Sequence, residues 1–328
     1  MHTTTRKARA LRMKLITAAV SSCFVSATAL ANPTGMAVVQ GTVSTDISMP
    51  GQLLITNSPN SIIHWNGFSI DPGELTQFIQ QSPTSAVLNR VVTNNVSSIL
   101  GSLQSNGRVF LVNPNGIVFG PGSTVDVAGL VASSLNLSDA DFLAGNMHFQ
   151  ENASAGVVTN QGNIFAQPGG QVYLIGPAVT NEGLIFSPQG EIVLAAGNSV
   201  DLVSPSTPGL SVTVTATGNQ ARNLGQIFAD SGRIGIFAGL IDQNGYVQAN
   251  TAVAGEDGTI KFQATGTTTF AAGSQTNSTG ALEIDSGDLV VNGLVFSGPQ
   301  TIHADSILVQ GGASGGGNSA RHGSSADR

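Results

Sequence analysis

The sequence predicts an all-β fold, a right-handed parallel β-helix, from three observations. A glycine-centred phrase recurs at intervals of 21 residues or twice that, from Gly162 to Gly183 and from Gly183 to Gly225. The apolar stretches between the glycines are short and rich in Phe and β-branched residues, which favours strands over helices. A chain of such short units buries its apolar faces by stacking one coil on the next.

The recurring phrase is Gly, any residue, Ile or Val, then Phe. A second phrase, a glycine followed by an apolar run, keeps step with it at Gly170, Gly190 and Gly232. Leucine-rich repeats share the period, but their leucine pattern is absent. The copies of the first phrase begin at Gly107, Gly116, Gly162, Gly183, Gly225 and Gly293.

The period predicts about three short strands per coil, stacked at roughly 4.8 Å. Residues 32–310 would then form on the order of 13 coils. Glycine supplies the positive φ that tight corners demand, and asparagine tolerates it while its side-chain amide can bond to the backbone of a neighbouring coil. The interval around Ser204 lacks the phrase and contains Pro205 and Pro208, which indicates a surface insertion or a variant turn.

Both ends of a solenoid expose strand edges, so a cap is expected. Residues 36–66 contain strand-like runs without the repeat and are interpreted as an N-terminal β cap. Residues 71–74 resemble the start of a helix with Leu75, Phe78 and Ile79 on one face, although a single turn or a strand is equally compatible. Residues 311–328 are rich in Gly and Ser and are predicted to be a disordered tail.

The N-terminus has the pattern of a secretory signal peptide, residues 1–31. Five basic residues precede an apolar run that ends in Ala29-Leu30-Ala31, so cleavage is expected between Ala31 and Asn32. A second cut after Ala29 and a lipoprotein-type signal at Cys23 are the alternatives. The run is short for a bilayer span.

Composition excludes several classes of partner. Removal of residues 1–31 leaves 7 basic against 19 acidic residues, a net charge of −12. Nucleic acids and anionic membrane surfaces need a basic face, so neither is expected as a partner.

Cys23 is the one cysteine, so the mature chain is expected to have none. Either a large core needs no disulfide, or the chain must stay unlocked while it crosses a second membrane.

Residues suited to catalysis are sparse. The histidines are far apart and form no metal-binding pattern, so no metal and no cofactor are expected. Two carboxylate groups resemble the sets that polysaccharide-active enzymes use, but glycine and serine surround them, which favours solvated turns. These carboxylates are Glu256, Asp257, Glu283, Asp285 and Asp288.

Residues 108–120 carry the block Arg-Val-Phe-Leu-Val-Asn-Pro-Asn-Gly-Ile-Val-Phe-Gly. This block resembles the signature of the filamentous-haemagglutinin N-terminal domain, which is the two-partner-secretion domain. Blocks at 61–66, 68–71, 77–79 and 85–90 occur in the family order and are most similar to the high-molecular-weight non-pilus adhesin subgroup. The similarity extends through 131–135 and 179–183.

The resemblance implies a right-handed β-helix with an N-terminal cap and an extra-helical hairpin. It also implies recognition in the periplasm by the POTRA domains of a dedicated outer-membrane transporter, followed by folding at the cell surface. The residues that match the family motifs are Asn113, Pro114, Asn115, Gly116 and Ile117, with Asn89 and Arg90 in a second block.

Residues 113–117 also have a direct chemical interpretation as a tight turn. Pro114 fixes φ, and Asn115 and Gly116 accept positive φ. The turn is either a β-helix corner that folding requires or a contact for the transporter. A second asparagine corner that is usual in the subgroup is Asp-Val-Ala-Gly at 126–129 here, so no role is carried over to it.

The leading hypothesis is a non-enzymatic, monomeric protein, secreted or held at the cell surface, with an adhesin-like or haemagglutinin-like role. Its expected partners are the POTRA-bearing transporter and a glycan or protein receptor on a host cell or other surface. One alternative is a β-helical polysaccharide-active enzyme. The other is a truncated stub of a larger adhesin or contact-dependent toxin, since family members carry a long passenger beyond this domain.

Overall fold

The computed structural model describes residues 32–151, 155–202, 212–215, 218–250 and 258–310, and the backbone of 318–322. Residues 1–31, predicted to be a signal peptide, and Glu256 and Asp257 lie outside the described residues. No helix in this part of the chain is long and apolar enough to span a bilayer.

The described chain is built almost entirely of short strands. In its first half they are β1 Ala37–Gln40, β2 Val43–Asp46, β3 Gln52–Asn57, β4 Ser61–Trp65, β5 Leu75–Ile79, β6 Ala86–Val91, β7 Ser97–Ile99, β8 Ser102–Val112, β9 Ile117–Phe119, β10 Thr124–Ser133, β11 Asn136–Leu137, β12 Met147–Gln150, β13 Val158–Asn160, β14 Asn163–Ala166, β15 Gln171–Gly176 and β16 Ala178–Asn181.

The second half continues the same pattern. Its strands are β17 Leu184–Phe186, β18 Glu191–Ala196, β19 Ser199–Leu202, β20 Val212–Thr215, β21 Gln220–Asn223, β22 Gln226–Phe228, β23 Arg233–Ala238, β24 Leu240–Gln243, β25 Tyr246–Ala249, β26 Thr259–Ala264, β27 Thr267–Phe270, β28 Gln275–Ser278, β29 Leu282–Val291, β30 Leu294–Ser297, β31 Gln300–Val309 and β32 Asn318–His322.

Parallel pairing stacks these strands into the three faces of a right-handed β-helix, which confirms the predicted fold. The first face contains β3, β5, the starts of β8 and β10, then β14, β17, β22, β25, β28 and β30. The second contains β4, β6, the ends of β8 and β10, then β15, β18, β23, β26 and the starts of β29 and β31, with β32. The third contains β7, β9, β13, β16, β21, β24, β27 and the ends of β29 and β31.

Ten coils stack within the described residues, counted by the ten strands of the first face, so the expectation of about 13 was too high. The chain leaves the β-helix twice, after β10 and after β18. Across the second departure β17 pairs directly with β22, with Leu184 opposite Gln226. The doubled interval between Gly183 and Gly225 is therefore one coil plus a surface insertion, which was one of the two interpretations offered for the region of Ser204.

The two departures form a separate antiparallel sheet of β11, β12, β19 and β20, which we call the extra-helical sheet. The resemblance implied one hairpin there, and the structure adds a second. A short helix, α1 (Asp139–Ala144), joins β11 to β12; Ser138 caps its start and Gly145, at φ 75°, ends it. A hydrogen bond from Ser138 lowers the pKa of Asp141 in the first turn of α1.

The extra-helical sheet explains why the second face has the longest apolar runs. Strands β15, β18 and β23 are buried at all but their first position, whereas β14 and β16 alternate between buried and accessible residues. A strand covered on both sides is apolar on both sides. One side of the second face packs into the interior of the helix, and the other packs beneath Leu137, Phe142, Phe149 and Val200.

The N-terminal cap is smaller than predicted. Strands β1 and β2 lie antiparallel on β4 and β3 and cover the first coil. The runs at 53–56 and 62–65, which were assigned to the cap, are instead strands of that coil. Residues 75–79 form a strand rather than a helix, with Phe78 buried.

A ladder of buried amides runs along the corner between the third and first faces. The side-chain amides of Asn160, Asn181 and Asn223 each donate 2.8 Å hydrogen bonds to the next coil, ending on Gln243. Each also reaches a backbone carbonyl of that same next coil, at 3.4 Å. The sequence predicted hydrogen bonds from these amides to backbone. In the structure their shorter hydrogen bonds join one side chain to the next, and those to backbone are longer.

Candidate functional site

The motif Asn113, Pro114, Asn115, Gly116 and Ile117 forms the corner between β8 and β9, where the chain passes from the second face to the third. The Gly116 amide donates to the Asn113 carbonyl at 3.0 Å, and the Asn115 amide donates to the Asn113 side chain at 3.0 Å. Gly116 has a φ of 108°, but Asn115 keeps a negative φ, so the expectation of positive φ is correct for Gly116 alone. The segment is a tight turn, as predicted.

The corner is hydrogen-bonded to the coil that precedes it. The side-chain amide of Asn113 donates to the Asn95 carbonyl at 2.8 Å and to the Ser97 hydroxyl at 2.9 Å. The side-chain amide of Asn115 donates to the Thr93 carbonyl at 2.7 Å. Asn95 in turn donates to the carbonyl of Asn66 at 3.2 Å. Side-chain amides at this corner thus join the coil of the motif to the preceding coil, and that coil to the one that begins beneath the cap.

The following coil closes over the other side of the corner. The Gly156 amide donates to the Pro114 carbonyl at 2.7 Å, and the Ile117 amide donates to the Val157 carbonyl at 3.0 Å. A side chain at Gly156 would lie 2.3 Å from the Asn115 carbonyl oxygen, so only glycine fits. The motif therefore couples three successive coils and has a structural role in the folded chain.

The motif residues differ sharply in exposure. Asn113, Gly116 and Ile117 are buried, whereas Pro114 and Asn115 are half-buried. Three valines stacked around the turn are about half exposed: Val92 and Val157 at 52% and Val96 at 46%. We call Val92, Val96, Pro114, Asn115 and Val157 the corner patch. The sequence did not identify these valines as exposed, because the alternation of apolar and polar residues along a solenoid does not show which corner faces solvent.

Asn89 of the second family block points into the β-helix. It is fully buried, accepts a 2.9 Å hydrogen bond from the Trp65 indole and donates to the Phe110 carbonyl at 3.3 Å. Trp65 meets Phe68 edge-on at 5.7 Å. Asn89 therefore satisfies the one polar atom of the largest side chain beneath the cap.

Arg90 points the opposite way, into the extra-helical sheet. Its guanidinium donates to the Leu137 carbonyl at 2.6 Å and to the Asp139 carboxylate at 2.7 Å, and also contacts the Asn136 side chain. Only 15% of the Arg90 side chain is exposed. Arg90 fastens β11 and the start of α1 to the β-helix, so both residues of this block have structural partners.

Asn32, on the far side of the expected signal cleavage, accepts a 3.0 Å hydrogen bond from the Thr76 hydroxyl. The expected cleavage after Ala31 stays a prediction.

The described carboxylates Glu283, Asp285 and Asp288 have separate surroundings. Glu283 forms a 2.9 Å ion pair with Lys261, and Asp285 lies opposite His303 in register, while Asp288 belongs to the third face. Among the described residues, no three His, Cys, Asp or Glu side chains lie close enough together to hold a metal ion.

Comparison with known proteins places this geometry in a family. The family model described as "TPS secretion domain" matches residues 29–227. A heme/hemopexin-binding protein of Haemophilus influenzae (strain ATCC 51907 / DSM 11121 / KW20 / Rd) is 29% identical over 232 residues, which cover 68% of this chain and 25% of the relative. Another heme/hemopexin-binding protein of Haemophilus influenzae is 35% identical over 100 residues, or 30% of this chain and 11% of the relative. The chain thus spans about a quarter or less of the length of these relatives.

Two solved structures are similar in fold. The HMW1 secretion domain from Haemophilus influenzae matches with a TM-score of 0.72 and 29% identity, over 85% of this chain and 84% of that one. The filamentous hemagglutinin secretion domain matches with a TM-score of 0.50 and 16% identity, over 87% of this chain and 98% of that one. The family model covers well over half of the 328 residues, and the resemblance seen in the sequence is confirmed: the chain belongs to the TPS secretion-domain family, the domain of two-partner-secretion exoproteins.

Proposed function

We propose that this chain is exported by a dedicated outer-membrane transporter whose POTRA domains bind the corner patch. The signal peptide 1–31 would deliver the chain to the periplasm, and the transporter would carry it to the cell surface. Family membership supports the route, because the domain is the one that two-partner-secretion exoproteins share.

The observation that carries the proposal is the half-exposed apolar surface around the motif corner. Val96 and Val157 lie on opposite sides of the turn formed by Pro114 and Asn115. Segments 92–97, 113–117 and 155–157 contain no charged residue. Binding there would depend on apolar contact and on hydrogen bonds to the turn, so we expect it to change little with ionic strength.

The buried motif residues would act differently from the exposed ones. Asn113, Gly116 and Ile117 are accessible to a transporter only before the coils close over the corner. Folding and recognition by these three residues would therefore compete. This accounts for one short motif serving both a structural corner and an export signal.

The test uses binding and secretion together. Val96→Asp and Val157→Asp each place a charge in the patch without touching the amide contacts of Asn113. We expect each to weaken binding of the chain to the purified POTRA region at least tenfold and to reduce secretion in cells that carry the transporter. Val309→Asp is the matched control, because Val309 is 54% exposed and lies in the last described coil.

Two results would overturn parts of the proposal separately. Normal secretion from a strain without the transporter would remove the export route. If Val309→Asp and Val96→Asp reduced POTRA binding and secretion equally, the corner patch would not be the binding site, although the export route would still stand.

After export, we propose an adhesin-like role for the chain as a monomer at the cell surface or in the medium. The resemblance of the sequence blocks to the high-molecular-weight non-pilus adhesin subgroup supports this role, while the two longer relatives are named for heme and hemopexin binding. Adhesion of beads coated with the purified chain to host cells, compared with beads coated with the denatured chain, measures it. Equal adhesion by both would contradict the role.

A further inference from the structure

A cavity of about 360 Å³ lies between α1 and the outer side of the second face. Its volume is within the range of sites that hold small molecules. The floor is formed by second-face residues, among them Ala86, Phe110 and Tyr173, and the cover by residues 142–147 with Leu202. Neither the corner patch nor the amide ladder contributes to it.

The cavity has one cationic side chain, Arg108. Its stem passes over Gly129, where a Cβ would lie 3.2 Å from the Arg108 Cγ. One terminal nitrogen donates to the Thr84 carbonyl at 3.0 Å, while Nε is buried without a hydrogen-bond partner. Arg108 has no carboxylate partner among the described residues, in contrast to Arg90, Arg222 and Arg233.

The nearby carboxylate, Glu191, is already engaged. It accepts a 2.8 Å hydrogen bond from the Tyr173 hydroxyl and pairs with Arg233 at 3.1 Å. Burial raises the pKa of Tyr173, so its hydroxyl stays protonated and continues to donate. Arg108 is therefore left without a carboxylate partner, and a ligand carboxylate at its terminal nitrogens would supply one.

The rest of the lining combines apolar side chains with the side-chain amides of Asn60, Asn146 and Gln171. Phe110 and Phe142 meet edge-on at 5.1 Å, and Met147, Leu202 and Leu143 extend the apolar surface towards solvent. Leu143 is 46% exposed, which places it at the rim. The site thus offers apolar side chains, amides and a single cation to one ligand.

We propose that this cavity binds a small amphipathic carboxylate, of the class of medium-chain fatty acids, whose carboxylate pairs with Arg108 and whose chain lies among Phe110, Phe142 and Met147. The guanidinium matches a carboxylate in geometry and charge. A bound chain would also contact both α1 and the β-helix and so fasten the extra-helical sheet. The proposal is independent of the export route.

The test measures binding to the full folded chain by calorimetry and by thermal unfolding, with decanoate as the probe. Decanol has the same chain without the charge, and acetate has the charge without the chain. We expect decanoate to bind and to raise Tm, and both comparators to bind at least tenfold more weakly. Arg108→Gln should reduce decanoate affinity at least tenfold, while Arg222→Gln, in an exposed ion pair, should leave it unchanged.

Three results would overturn the proposal: no binding of decanoate at millimolar concentration, equal binding of decanol, or undiminished binding by Arg108→Gln. If Arg108→Gln fails to fold, the comparison of decanoate with decanol on the unaltered chain still decides the matter.

Discussion

The glycines of the repeat are required because stacked coils approach one another closely. A Cβ at Gly183 would lie 2.1 Å from the Gly162 carbonyl oxygen, and one at Gly225 would lie 2.1 Å from that of Gly183. The same holds between Gly190 and Gly170. None of these glycines has a positive φ, so the conformational reason offered from the sequence was wrong for them. Missing side-chain volume, not backbone freedom, selects glycine here.

Gly183→Ala should therefore destabilise the chain more than an alanine at a glycine chosen for its φ. Gly273 is the matched control, with a φ of 89° and no atom within 4 Å of the added Cβ. We expect Gly183→Ala to lower the free energy of unfolding by about 3 kcal/mol or more, because backbone must move. Gly273→Ala should cost about 1–2 kcal/mol. Urea unfolding followed by circular dichroism measures both, and equal losses would contradict the close-approach explanation.

The phenylalanine of the repeat lies in different environments in different copies of the phrase. In the copies from Gly162, Gly183 and Gly225 the Ile is fully buried and the Phe lies on the outer side of the first face, partly exposed. Phe110 is on the second face beneath the extra-helical sheet, and Phe119 is inside the helix. The phrase encodes a strand after a tight corner, and the corner occurs on every face.

At the scale of elements, the extra-helical sheet depends on a few attachments to the β-helix. Arg90 forms one of these attachments, through an ion pair and hydrogen bonds with β11 and α1 that leave only 15% of its side chain exposed. Most of the remaining contact is apolar packing against the second face. Loss of Arg90 should therefore release the sheet locally while the solenoid persists.

Arg90→Ala is expected to destabilise the attachment by about 1–3 kcal/mol, because it leaves the Leu137 carbonyl without its donor and Asp139 without its cation. Amide hydrogen exchange should rise in 136–150 and 199–202 and stay unchanged in β24 to β28. Arg222→Ala, which removes an exposed ion pair with Asp242, should cost less than about 1 kcal/mol. Faster exchange throughout the β-helix of Arg90→Ala would show that the residue supports the whole fold instead.

At the scale of the whole molecule, every coil is held by its two neighbours, and paired strands are distant in sequence. Thr124 pairs with Asn163, and Leu184 with Gln226. Such non-local pairing folds slowly compared with local structure. A slow-folding chain without a cysteine beyond Cys23 is suited to crossing the outer membrane before its coils close.

A cysteine pair at Thr124 and Asn163 tests this requirement. These residues are paired neighbours on parallel strands, and a separation of about 4.8 Å is within the range of disulfides. We expect the oxidised double variant to accumulate in the periplasm and a reductant in the medium to restore secretion. Thr124→Cys and Asn163→Cys alone are the controls. Full secretion of the oxidised pair would mean that this part of the chain can cross while locked.

The sequence by itself determined the coil. Glycine spacing, short β-branched runs and the asparagines predicted parallel stacking, because each coil repeats the same local demands. The family motif was also legible, and its five residues form the turn that Pro114 and Gly116 indicated. Local rules suffice where the next coil repeats the previous one.

Only the tertiary structure decided which surfaces face solvent and how the insertions pack. The burial of both sides of the second face depends on β11, β12, β19 and β20, strands with no repeat signal of their own. The exposure of the corner-patch valines and the lack of a carboxylate partner at Arg108 depend on which segments pack beside these residues. The exposure of a side chain is set by contacts between segments far apart in sequence, so the periodicity of the sequence does not predict it.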